Sequence, residues 1–259
     1  MTQTFKGIDL FYTDQGEGNP IVLLHGFLEN SKMWMDLVPE ISKRNRVICI
    51  DLLGHGKTPC LGYVHSMELM AEGVEVILNH LKIKESIIIG HSMGGYVALA
   101  FAEKNPKKVK KLCLMNSTAL ADTEEKKKNR DRAVVAVKQN YKTFVRIAIK
   151  NLFRPKNRLL FNEKIKEVIN SALETPLQGI IAALEGMKIR ENREHVLQSS
   201  SFKKMMIISK RDPALDYKST IAQTKNRDIK IVEFPDGHMS HIENNKEFIL
   251  QIVHFIDFI

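Results

Sequence analysis

The chain has 259 residues, 44% hydrophobic and 27% charged, with a formal net charge of +9. That composition fits one large globular domain, or one domain with a sizeable insertion, and excludes a disordered or collagen-like chain. No apolar run reaches the roughly 18 residues of a membrane-spanning helix, and the N-terminal segment lacks the basic-then-apolar pattern of a secretory signal. In chain order, strands are predicted at Gly7–Thr13, Pro20–Leu24, Arg46–Ile50, Ser86–Ile89, Lys111–Met115, Lys204–Ile208 and Asp228–Phe234. Most place Ile, Val or Leu on successive positions, as a strand buried on both faces does. Helices are predicted at Ser66–Leu81, Ser92–Lys104, Asp216–Lys225 and Ser240–Ile259. The last opens with Ser240 and Glu243 at the spacing of a capping box. Alternation of strand and helix predicts an α/β fold, a mostly parallel central sheet flanked by helices.

The alternation stops between Leu120 and Gln198. Val134, Val137, Tyr141, Phe144, Ala148 and Leu152 recur at helical spacing and predict one long helix. Pro155 and Pro176 cut the remainder into shorter ones. The segment reads as a helical lid (cap) subdomain, residues 120–198, inserted in a core formed by 1–119 and 199–259. Such an insertion lies over the carboxyl edge of the sheet, where α/β ligands bind.

Twelve Lys or Arg against four Asp or Glu between Asp122 and Arg158 put a net +8 in this one segment. Two readings stay open: a solvated helical face, or a basic lid that attracts anionic substrates. The segment has few aromatic residues to stack bases, so nucleic acid is not an expected partner. Cys49, Cys60 and Cys113 offer neither a disulfide framework nor a zinc spacing, and a reducing cytoplasm is the expected location. Cys49 and Cys113 sit in strand-like runs as small buried side chains. The expected partner is a small-molecule substrate, without stable membrane insertion. Nothing in the sequence sets an oligomeric state.

Gly90-His91-Ser92-Met93-Gly94 fits G-x-S-x-G at a junction from strand to helix. A serine hydroxyl attacks poorly unless a base takes its proton. A tight strand-to-helix turn holds the side chain up in a strained conformation, and Gly90 and Gly94 keep the neighbouring chains clear. The competing reading is a glycine-rich turn with an incidental serine. With "VLLHGF", "DLLGHGKT", "GHSMGG", "RDP" and "GHMSHIE" in this order, the chain resembles the α/β-hydrolase superfamily nearly end to end, in its serine-nucleophile, esterase-like branch. No match covers the lid.

The resemblance implies a triad in the order Ser, Asp, His. His238, after the strand "IKIVEF" and the turn "PDG", is the candidate base, with His241 a supporting or surface residue. Asp212, just past "KMMIIS", is the candidate acid; Asp216 belongs to the next helix start. The strand "KLCLMNS", the other place for an acid, ends in Asn116 and Ser117, and Asp122 is distant. The oxyanion hole is expected from the backbone N–H groups of Phe27 and Met93, with His25 and Gly26 shaping the loop. His91 is expected to point away from Ser92 and, like His55, to be structural. His65, His80, His195 and His254 read as surface or packing residues.

His238, His241 and Glu243 follow no metal-site spacing, and neither a phosphate loop nor a dinucleotide fingerprint is present, so no metal and no cofactor is expected. These features together predict a serine hydrolase acting on a small carboxylic ester or a related acyl or carbon–carbon substrate. One alternative is a lyase of the same fold, which makes SHCHC by eliminating pyruvate. That group is expected to carry an arginine after the elbow glycines, where this chain has Tyr96. The other alternative is a slow-turnover binding protein, against which an intact triad argues.

Overall fold

The structure, a computed structural model, describes residues 1–199 and 202–258. Its strands are β1 (Thr2–Phe5), β2 (Ile8–Gln15), β3 (Asn19–Leu24), β4 (Asn45–Ile50), β5 (Ser86–His91), β6 (Val109–Met115), β7 (Lys203–Ser209) and β8 (Ile229–Phe234). They form a single sheet in the order β1-β2-β4-β3-β5-β6-β7-β8. β1 and β2 pair antiparallel, as do β2 and β4; every other pairing is parallel.

The continuous apolar runs are explained by burial on both faces. In β5, Ile87, Ile88 and Ile89 are at most 2% exposed, and alternate side chains enter opposite cores. Burying each contributes about 2 kcal/mol. One face of the sheet is covered by α2 (Met67–His80) and α3 (Met93–Lys104), through Met70, Val74, Val97 and Phe101. The other is covered by α1 (Val38–Ile41) and α11 (Asn245–Phe258), through Ile41, Phe248, Ile252 and Phe255. Cys49 and Cys113 are buried within strands as free thiols.

Between β6 and β7 lie α4 (Glu124–Gln139), α5 (Tyr141–Leu152), α6 (Asn162–Ala172), α7 (Leu177–Lys188) and α8 (Glu194–Ser199). α7 is the element of this insertion most deeply packed, burying Ile180, Ala183, Leu184 and Met187. The His65 amide bonds the Ala182 carbonyl at 2.9 Å, tying α7 to the loop before α2. α9 (Tyr217–Ala222) and α10 (Ser240–Glu243) complete the fold. No helix among the described residues is long and apolar enough to cross a membrane.

Several expectations are corrected. β1 was not predicted, because only Phe5 of its residues is buried and four residues are too few for a pattern. The single helix expected across Val134–Leu152 is two. Asn140 leaves helical geometry at φ −152° and ψ 83°, and its side chain accepts from Thr143 N at 3.0 Å to start α5. The capping box at Ser240 does not form. Ser240 Oγ bonds Asn116 and Ser209 instead, and Glu243 accepts from the backbone amides of Arg154 and Gly237 and from Asn157 Nδ2. The helix expected over Ser240–Ile259 is divided at Asn244. Ile259, and Ser200 and Ser201 near the expected lid boundary, lie outside the described residues.

Candidate active site

Ser92 is the single residue between β5 and α3, at φ 49° and ψ −113°. An L-residue rarely adopts that conformation, and holding it costs about 1–3 kcal/mol. Neighbours impose it: Ser92 N donates to Met115 O at 2.9 Å, and Ser117 Oγ donates to Ser92 O at 2.8 Å. A Cβ at Gly90 would sit 2.4 Å from the Gly94 carbonyl oxygen, and one at Gly94 would sit 2.3 Å from that of Leu24. Both obstacles are backbone and cannot swing away. Gly94→Ala should therefore lower stability by about 1–3 kcal/mol and misplace Ser92. Urea unfolding and ester turnover check this together; unchanged values in both would show that the turn has slack.

The histidine and the acid meet at the carboxyl ends of β7 and β8. His238 is 2% exposed, and its Nδ1–H donates to Asp212, 2.7 Å from Oδ2 and 2.9 Å from Oδ1. Asp212 also accepts from Asn116 Nδ2 at 3.0 Å and from the amides of Ala214 and Leu215 at 2.8 and 3.0 Å. Burial pushes its carboxyl pKa up, but the His238 contact and these hydrogen bonds outweigh that and hold it below the usual carboxylate range. With Nδ1–H spent on Asp212, Nε2 is the ring nitrogen left to accept a proton. Asp216 instead caps α9, accepting from Ser219 N at 2.8 Å. Ser92 and His238 line one cavity of about 500 Å³. No hydrogen bond joins them directly among the described residues; in unliganded sites that bond is often long and tightens in the reacting complex.

The loop after β3 turns on His25. Its Nδ1–H donates to Gly26 O at 2.8 Å, while Nε2 accepts from Leu52 N at 2.9 Å. Burial lowers its pKa, in keeping with that neutral tautomer. Leu28 adopts φ 64°, bending the chain beside Phe27. Phe27 lines the cavity, and its amide has no acceptor among the described residues. Met93 opens α3, where first-turn amides lack intrahelical acceptors. His55 packs edge-on against Phe27 and stays neutral, its pKa pushed by burial to about 3.

Glu29 holds this loop to the elbow. Its Oε2 accepts from Gly26 N at 2.9 Å and from His91 Nδ1 at 2.6 Å. His91 Nε2 donates to the His238 carbonyl at 3.2 Å. His91 also lines the cavity, and both its ring nitrogens are spent on Glu29 and the His238 carbonyl, not on Ser92. Burial disfavours both charges, but the pairing outweighs it: the Glu29 pKa falls to about 2 and that of His91 rises. His241, buried 3.7 Å from Glu29 Oε1, is pushed to about 4 by burial.

Because the folded pKa of Glu29 lies below the ordinary 4.5, its stabilisation is complete above about pH 4.5. It is lost as pH falls towards 2. Glu29→Gln should flatten the acid limb of a stability–pH curve without erasing it, since Asp122 and Asp212 are also depressed. Parallel wild-type and variant slopes would contradict this.

The insertion supplies much of the remaining cavity wall, including Lys126, Arg130, Leu184 and Met187. Asp122 is fully buried between Arg130 and Arg190, 2.6 Å from Arg190 Nη1. Burial raises its pKa, but the two guanidinium groups outweigh that and lower it.

Of the residues expected from the sequence, Phe27, Ser92 and His238 line one cavity, Asp212 is bonded to His238 behind it, and Met93 follows Ser92 at the start of α3. Sequence reading missed the supports Glu29, Asn116 and Ser117. The signals were polar residues within or just past apolar runs, in "HGFLEN" and "LCLMNS".

Residues 19–166, more than half of the chain, match the family model of the alpha/beta hydrolase fold. The protein belongs to the α/β-hydrolase family. This α/β hydrolase is similar to an esterase from Thermogutta terrifontis solved with malate bound: 29% identity, TM-score 0.91, 98% of this chain and 96% of that one covered. An enol-lactonase from Burkholderia xenovorans shares the fold, with TM-score 0.91 at 21% identity over 99% of each chain. The α/β hydrolase is also 34% identical over 119 residues to the 2-hydroxy-6-oxo-2,4-heptadienoate hydrolase of Pseudomonas putida, covering 44% of this chain and 43% of that one. Its alignments to the first curated relatives cover only 34% to 48% of their length.

Proposed function

We propose that the protein is a serine hydrolase that cleaves small carboxylic esters or lactones through an acyl-enzyme on Ser92. The observation that carries this reading is the convergence of a strained Ser92 and an Asp212-held His238 on one cavity. The likeness to a thermophilic esterase supports it. His238 Nε2 takes the Ser92 proton as Oγ attacks the carbonyl carbon. The oxyanion forms in reach of the Phe27 and Met93 amides, a type of contact that contributes about 3–4 kcal/mol to the transition state. His238 returns the proton to the leaving alkoxide, and the ester C–O bond breaks. Water then attacks the acyl carbon, giving its proton to His238, and the acid leaves as Ser92 Oγ is reprotonated. Asp212 fixes the tautomer and stabilises the transient imidazolium.

Residues 120–198 serve as the lid: they wall the cavity and set which acyl groups fit. The three unpaired cysteines suit the reducing cytoplasm in which we place the enzyme. Phe27 acts through its amide, so Phe27→Ala should keep turnover within about tenfold of wild type; a loss above a thousandfold would show that its ring is required. A series of p-nitrophenyl esters of increasing chain length, with Ser92→Ala as control, tests the function. Turnover that depends on Ser92 is expected. No turnover of any ester, together with pyruvate release from the precursor of SHCHC, would replace this reading with the lyase.

A further inference from the structure

The cavity wall built by α4 carries a charge imbalance that ester cleavage itself does not use. Asp122 is spent: both its oxygens are held by Arg130 and Arg190. Lys126, four residues further on, lines the same cavity and is half-buried. Its ammonium has no hydrogen-bond or ion-pair partner among the described residues. Arg190 stacks on Tyr96, its guanidinium carbon 4.1 Å from the ring centroid, and Tyr96 also lines the cavity. Three cations, Lys126, Arg130 and Arg190, therefore gather about Asp122; the other carboxylate whose charge reaches Lys126 is Asp212, which is already held by His238. Glu125 at the mouth is exposed, and water screens its charge. Burial, with Arg190 and Arg130 nearby, lowers the Lys126 pKa against the opposing pull of Asp122 and Asp212. An ammonium at a cavity wall that makes no hydrogen bond or ion pair within the protein is available to pair with an anionic group of a ligand.

We propose that Lys126 is a specificity-determining residue that binds a carboxylate on the substrate. The natural substrate would then be an ester or lactone that carries a free carboxylate, such as a monoester of a dicarboxylic acid. The inference rests on the serine-hydrolase reading and names the substrate class for that site. A cavity of about 500 Å³ holds such a molecule. A hydrogen bond between charged partners is worth enough to change kcat/KM by about 10–100-fold.

The test compares mono-p-nitrophenyl glutarate with p-nitrophenyl valerate, whose acyl chains have equal length and differ in one terminal carboxylate. In the wild type, kcat/KM should favour the glutarate ester by at least about tenfold. Lys126→Met should collapse that ratio, and Lys126→Arg should keep most of it. A general folding defect would lower both esters together, so the ratio is the readout. Free glutarate should also protect wild-type Ser92 from a fluorophosphonate, and glutaramide should not; this arm needs no variant. Cleavage of both esters through Ser92, with equal ratios in wild type and Lys126→Met and no protection by glutarate, overturns the subsite and leaves the hydrolase reading standing. Cleavage of neither ester, or equal cleavage by Ser92→Ala, overturns both.

Discussion

Ser92→Ala should lower ester turnover by about 10⁴–10⁶-fold and leave the folded protein intact. The size of the loss follows from the chemistry: without Oγ no acyl-enzyme forms, and only the oxyanion amides and the bound geometry remain to speed water attack. Thr123 is the other aliphatic hydroxyl residue lining the cavity, and its Oγ1 accepts from Lys126 N at 3.3 Å as the cap of α4. It is thus no substitute nucleophile. The fold survives because Ser92 Oγ makes no hydrogen bond among the described residues, so its removal leaves no protein group there unpaired. The backbone contacts to Met115 and Ser117 remain. Steady-state kinetics and urea unfolding on the same preparation check both halves. A loss below tenfold would place the nucleophile elsewhere.

Asp122→Asn costs about 3–5 kcal/mol of stability, the largest effect expected outside the catalytic residues. The Asp122 side chain is completely buried and that of Arg190 is 3% exposed, so neither can turn to water when the pairing fails. Asparagine keeps the shape but removes the negative charge, leaving Arg130, Arg190 and Lys126 to repel one another across one wall. Added salt recovers little, because buried charges are weakly screened. Pairing the change with Arg190→Met should restore part of the loss, since it removes the stranded charge. Urea midpoints for the two single variants and the double give the coupling directly. A shift under about 0.5 kcal/mol for Asp122→Asn would mean that the guanidinium groups find other partners.

The core was legible because its physics is local. Ile87–Ile89 read as a doubly buried strand, and Gly90 and Gly94 mark the crowded turn that forces Ser92 into positive φ. The order Ser, Asp, His is what the resemblance implied, and each of Ser92, Asp212 and His238 follows a strand. What failed was non-local. The Ser240–Glu243 pair has capping-box spacing, yet both side chains are recruited by groups more than 80 residues away, Asn116 and Asn157. Asn140 looks like one polar position in a helical pattern, and only its dihedrals reveal the break. Asp122 lies too far past its strand to read as a triad acid; its role in the cavity wall depends on Arg190, which lies 68 residues further along the chain. Glu29 and His91 meet through the packing of the β3 loop against the elbow, which no spacing records. The insertion mixes exposed lysines with Lys126 and Arg130 at the cavity, so its net charge did not separate a solvated face from a binding wall.

The central claim, that Ser92 is the nucleophile, is tested most directly by labelling the protein with a fluorophosphonate and mapping the adduct by peptide mass spectrometry. One adduct is expected, on the peptide containing Ser92, absent in Ser92→Ala and strongly reduced in His238→Ala. An adduct on another residue, or full labelling of Ser92→Ala, would contradict it.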